Sequence, residues 1–122
     1  MHEIDRIGRR SVLTCPDCDG VMWEIDEGKL VRYRCHVGHS FTADLMDVAL
    51  DENLRRSLAT ALRVLEERRT LSRRLEMDAE REGQLQMAAT WAQRADEFQR
   101  ELNVIRTSIE RVNRIVKERE KT

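Results

Sequence analysis

Apolar residues recur along this chain with two different periods, and the change of period divides it. From Val21 to Ile25 and again from Leu30 to Arg34 apolar and polar positions roughly alternate, the two-residue period of strands with unlike faces. Asp26, Glu27, Gly28 and Lys29 stand between the runs, so the pair reads as a β-hairpin in which Gly28 supplies a positive φ. Residues 1–12 sustain no period and carry Arg6, Arg9 and Arg10; they read as a lead-in or linker.

Beyond the hairpin the period becomes helical. Thr42 is placed to cap a helix, Phe41 and Met46 occupy the positions of a hydrophobic staple, and nothing interrupts the run until Gly83 supplies a stop. Within this first helix, about 43–82, Leu54, Leu58, Ala61, Leu65, Leu75 and Ala79 keep a 3-4 spacing broken only at Arg68 and Ser72. Leu50, Val64 and Leu71 widen one flank. In the second helix, about 85–119, Ala88, Trp91, Ala95, Phe98, Leu102, Ile105, Ile109, Val112 and Val116 alternate three and four apart without exception, a coiled-coil signal.

Folding the chain back at Gly83 brings Leu75 to Trp91, Ser72 to Ala95, Arg68 to Phe98, Leu65 to Leu102 and Leu58 to Ile109. That register accounts for both breaks: Ser72 meets a small partner, and Arg68 lays its stem over the Phe98 ring with its head in water. Arms roughly 50 Å long leave much of a two-helix seam half exposed, and the extra apolar flank predicts self-association into a four-helix arrangement.

With 122 residues, 37% of them charged and 4% aromatic, the chain suits elongated helices better than a large core with a deep cavity. Lys plus Arg number 22 and Asp plus Glu 23, so the net charge of -1 gives no global attraction to nucleic acid or to an anionic membrane. Lysine occurs only at Lys29, Lys117 and Lys121, and the arginine bias slightly favours bidentate contacts with carboxylates or phosphates. Three cysteines cannot all pair, and neither a secretory signal nor a membrane-length apolar run is present. A reducing, cytoplasmic setting is expected.

The cysteines have another use. Cys15, Cys18, Cys35 and His39 are spaced C-x2-C, sixteen residues, C-x3-H, the pattern of a closed tetrahedral zinc site. The segment between them is too short to bury a core of its own, so one zinc per chain would be its main support. Gly38 permits the tight turn that returns a ligand to the metal. His36 is the rival fourth ligand, but neighbours in an extended strand point to opposite faces, which sets His36 apart from Cys35 and favours His39. Four protein ligands leave no position for water, so the zinc reads as structural and not catalytic. A redox role for the C-x2-C pair would require losing the metal, and no thioredoxin-like βαβ pattern surrounds it.

Other chemistry finds little support. His2 lies in the lead-in, the other two histidines belong to the second knuckle, no Ser/His/acid set can be assembled, and no phosphate-binding glycine loop occurs. Glu66 with Glu67, and Asp44 with Asp47, read as solvated carboxylates among arginines. Arg55, Arg56, Arg63, Arg68, Arg69, Arg73 and Arg74 line the first helix, but Glu52, Glu66, Glu67, Glu76 and Asp78 interleave with them. On the ribbon Trp23 and Tyr33 form either a stacking face or a small apolar centre.

The run Cys-Pro-Asp-Cys-Asp-Gly-Val-Met-Trp-Glu-Ile-Asp-Glu-Gly from Cys15, followed by Val-Arg-Tyr-Arg-Cys-His-Val-Gly-His-Ser-Phe from Val31, resembles the C-terminal extension of some bacterial chemotaxis-type protein-glutamate methylesterases. A helical tail rich in Ala, Leu, Glu and Arg follows there too, so the resemblance runs from about residue 11 to the end. It is specific in the ribbon and generic in the helices. Asp19 replaces a commoner glycine and His36 a commoner arginine, and neither change touches the four presumed ligands. The catalytic domain of such esterases has no counterpart here. The resemblance therefore implies a bacterial cytoplasmic module linked to signalling or receptor-modification proteins, and no esterase activity.

The expected architecture is mostly α: lead-in 1–12, a zinc ribbon over 13–41 built from a hairpin and two knuckles, and an antiparallel two-helix coiled-coil hairpin over 42–122. The expected role is a non-enzymatic scaffold that self-associates through its helices and offers Trp23, Arg32, Tyr33, Arg34 and His36 to a protein partner. The alternative is a nucleic-acid-binding ribbon acting as a small transcriptional regulator, and a weaker third reading is a zinc-dependent redox sensor.

Overall fold

The structure, a computed structural model, describes residues 8–120. The lead-in residues 1–7, with His2 and Arg6, lie outside the described residues. Two compact units divide the chain, residues 1–53 and 54–122.

The first unit is an antiparallel meander of four strands in sequential order, β1 (Arg9–Thr14), β2 (Val21–Glu27), β3 (Leu30–Cys35) and β4 (Ser40–Thr42). The expected hairpin is its centre: Asp26 faces Val31 and Glu27 faces Leu30, leaving a two-residue loop whose Gly28 has φ 65°. The sheet reaches past the expected ribbon on the N-terminal side, because Arg9–Thr14, assigned largely to the lead-in, pair with β2. Their ladder is irregular between Arg10 and Thr14. Ser11 spans that break, since its hydroxyl donates to the Met22 carbonyl at 2.8 Å and accepts from the Leu13 amide at 3.1 Å. Backbone groups a regular ladder would have paired are satisfied locally.

Alternation along β2 sends Met22 to one side of the sheet and Trp23 to the other. On the Met22 side, Cys15, Met22, Cys35 and Met46 form a fully buried cluster, with Leu13, Tyr33, Phe41 and Leu50 packed against it. Met46 and Leu50 come from the start of α1 (Ala43–Arg81). That helix begins where the sequence predicts, because the Thr42 hydroxyl accepts from the Leu45 amide at 3.3 Å. The anticipated staple thereby becomes part of the ribbon's core.

The second unit contains most of α1 and all of α2 (Leu85–Glu120). Helix α1 ends in a Schellman turn: Gly83 has φ 73°, its amide donates to the Glu80 carbonyl at 3.1 Å, and the Gln84 amide donates to Ala79 at 2.9 Å. Only three residues separate the helices, and the register of the hairpin is the expected one. The Arg68 guanidinium lies 5.2 Å from the centre of the Phe98 ring, Arg73 bonds Asp96 at 2.6 Å, Arg69 bonds Gln99 at 2.7 Å and Arg106 reaches Glu66 at 3.3 Å. Ser72, Ala79, Ala88, Ala95, Leu102 and Val116 are buried, while Leu58, Leu65, Leu75, Trp91, Phe98, Ile105 and Ile109 are half-buried.

Ser72 stands out because its hydroxyl is buried without a hydrogen-bond partner. A desolvated polar atom of this kind costs free energy that an alanine would not. Ser72→Ala is accordingly expected to be neutral or to raise stability by about 1 kcal/mol, whereas Leu102→Ala should cost about 3 kcal/mol. Urea unfolding of the two variants checks the pair; a destabilised Ser72→Ala would mean that the hydroxyl has a role in the seam.

Candidate metal centre

The two knuckles are built by backbone before any metal is considered. In the first, the Cys15 amide donates to Gly20 at 2.7 Å and the Asp19 amide donates to Cys15 at 2.9 Å. Closing this turn puts Asp19 at φ 61°, in the left-handed region where a side chain is disfavoured and aspartate is among the better-tolerated residues. In the second knuckle the Cys35 amide donates to His39 at 3.0 Å and the Gly38 amide returns to Cys35 at 3.1 Å, with Gly38 at φ 113°. The short β4 then leaves for the helix cap.

These turns bring one atom each from Cys15, Cys18, Cys35 and His39 to within 4.8 Å of one another, a group that can hold a metal ion. The edges of the cluster are informative. Cys18 and Cys35 have their sulfurs 3.6 Å apart, and His39 Nδ1 lies 3.6 Å from Cys15 Sγ and 3.3 Å from Cys35 Sγ. Around a tetrahedral ion with metal–sulfur and metal–nitrogen bonds of about 2.3 and 2.05 Å, the S···S and S···N edges come to roughly 3.8 and 3.6 Å. These three edges lie within about 0.3 Å of what a tetrahedral shell requires. Cys15 and Cys35 are buried, His39 is half-buried, and Cys18 is the most exposed of the four. His36 is exposed and outside the cluster, which leaves His39 as the fourth ligand.

The sulfurs are not electrostatically alike. Burial disfavours the Cys35 thiolate, but the backbone amides of His39 and Gly38, aided by the Cys18 and His39 side chains, outweigh it and bring the thiol down to about 6. At Cys18 the Gly20 amide pulls the other way from desolvation and from the Cys15 and Cys35 sulfurs, which together hold this thiol above its usual value.

The residues expected on a partner surface do not share one. Trp23 is only 3% exposed and sits beneath Arg10, whose guanidinium lies 5.6 Å from the ring centre. It therefore does not present its ring, and one residue over it, Arg10, comes from the segment read as lead-in. Tyr33 packs against the Cys15–Met22–Cys35–Met46 cluster, on the face opposite its neighbours Arg32 and Arg34. Arg32 is ion-paired with Glu27 at 2.9 Å. What remains outward is Arg32, Arg34 and His36. Among the described residues no helix is long and apolar enough to cross a membrane.

Comparison with family models, with curated proteins and with solved structures gives no match to this chain. The functional reading accordingly rests on the residues themselves.

One outcome follows from the knuckle geometry. Asp19→Gly should raise the thermal stability of the metal-loaded protein by about 1 kcal/mol, since glycine carries no penalty at this φ; a loss would mean that the Asp19 side chain holds the turn.

Proposed function

We propose that this protein is a non-enzymatic zinc-binding scaffold, in which a structural zinc ion held by Cys15, Cys18, Cys35 and His39 fixes the ribbon and the ribbon fixes the start of α1. The observation that carries this reading is the convergence of three sulfurs and one imidazole nitrogen to within 4.8 Å of one another, beside a core cluster of four buried residues. Such a donor set suits zinc, and four protein ligands leave no position for substrate or water. The chemistry the ion supplies is cross-linking: it ties β1, the β3 end and β4 into one unit.

Scaffolding also agrees with what surrounds the site. The described surface grooves run along single helices, one lined by Arg63, Glu66, Thr70 and Leu71 and another by Asn103, Val104 and Thr107, and neither brings together an acid, a base and a nucleophile. The exposed Arg34, beside Arg32, which also pairs with Glu27, offers a basic patch suited to an acidic protein partner, with His36 next to it. The resemblance of the ribbon to the extension of chemotaxis-type methylesterases supports seeking that partner among bacterial signalling or receptor-modification proteins, in a reducing cytoplasm.

Elemental analysis of protein purified without added metal should give one zinc per chain. Cys35→Ser should lose the zinc and unfold residues 13–41 while most of the helical signal survives, because the heptads do not need the metal. Loss of the whole helical signal would contradict the two-part architecture, and wild type without zinc would contradict the scaffold. A bound partner for which the logarithm of affinity falls steeply and linearly with the logarithm of salt concentration, with a slope of several phosphates, would replace the acidic-protein reading by the nucleic-acid one.

A further inference from the structure

The two broad faces of the helical hairpin are built differently. On one face stand residues that follow a seam position by one: Glu66, Arg69 and Arg73 on α1, and Asp96, Gln99 and Arg106 on α2. These six make the cross-helix bonds Glu66–Arg106, Arg69–Gln99 and Arg73–Asp96, so this face is polar and already laced. Residues that precede a seam position by one point the other way, and because the helices are antiparallel, those of α1 and α2 emerge on the same side. There the chain places Val64 and Leu71 on α1, and Met87, Val104 and Ile115 on α2, each between 43% and 64% exposed.

We propose that this second face is the contact surface of a homodimer, in which a second copy of the hairpin completes a four-helix bundle. The inference deepens the scaffold reading by naming the face and the number of copies in its self-association.

Three observations point to a second copy as the occupant. First, the hairpin's own interior is thin: its buried side chains are one leucine, one valine, three alanines and a serine. Single pairs of long helices with so little burial gain their stability by adding further helices. Second, the large apolar side chains of this face are aliphatic, and several of the charged residues among them are already engaged within the hairpin: Glu67 with Arg63, Asp78 with Arg74 and Arg81, and Arg94 over the Trp91 ring. Val, Leu, Ile and Met suit homodimer contacts, whereas transient partners draw on aromatic and arginine anchors. Third, the size fits. Counted along the hairpin, the five residues spread over nearly thirty helical positions, about 40 Å, and two helices are about 20 Å across. The resulting surface of roughly 800 Å² per copy is what a stable dimer buries.

Light scattering on wild type at about 50 µM should give twice the chain's 14.4 kDa. The double variant Val64→Glu with Leu71→Glu should give the single-chain mass. Asn103→Glu, on the laced face, should leave the dimer intact. A thermal midpoint that rises with protein concentration in wild type and loses this dependence in the double variant would support the same face even if the variant's helices melt more easily. A wild-type monomer, an assembly larger than two, a dimer that survives the double substitution, or one equally broken by Asn103→Glu would overturn the proposal. Zinc measured on the same samples separates the two readings: one ion per chain in a monomer removes the dimer face alone, and a zinc-free protein removes the scaffold whatever its mass.

Discussion

The convergence of three sulfurs and one imidazole nitrogen on a single point is the constraint on which the N-terminal unit depends. Met22 and Met46, the large side chains of its core, contribute about 2 kcal/mol each when buried, far less than the entropy of ordering some forty residues. Cross-linking β1, β3 and β4 through one ion, which this donor set can hold, would supply what that core cannot. The knuckles show how the backbone prepares for it: amides of Gly20, Gly38 and His39 turn toward the sulfurs, and Asp19 is held in a conformation that costs free energy. The first helix then starts at a defined residue, because Thr42 caps it and Met46 enters the ribbon's core.

The helical unit solves a different problem by different means. Its seam is specified by regular spacing, its turn by a glycine in the left-handed region, and its register by a serine–alanine layer and by Arg68 over Phe98. Exposed ion pairs within α1, such as Arg63–Glu67, add only tenths of a kcal/mol. Those that cross between the helices do more for specificity than for stability, since they lace one face of the hairpin and help to fix its register.

How much of this was legible in the sequence differs between the units for physical reasons. Ligand spacing survives any detail of the surrounding sheet, so Cys15, Cys18, Cys35 and His39 could be named without a structure, as could the helix cap at Thr42 and the stop at Gly83. The outer strands could not. β1 is broken by an irregularity, and its Val12 is 99% exposed, which erases the alternation that marks a strand; β4 is three residues long. Trp23 was misplaced for a related reason. Period two separates its face from that of Met22, yet it does not say that Arg10, from a segment without any period, covers the ring. The left-handed Asp19 was visible only as a departure from a commoner glycine, and backbone strain has no other signature in a single sequence.

X-ray absorption at the zinc edge of the purified protein tests the central claim most directly. The account predicts three sulfurs at about 2.3 Å and one imidazole nitrogen at about 2.05 Å around each ion. A shell containing water or carboxylate oxygen in place of one of these, or no zinc to measure, would contradict it.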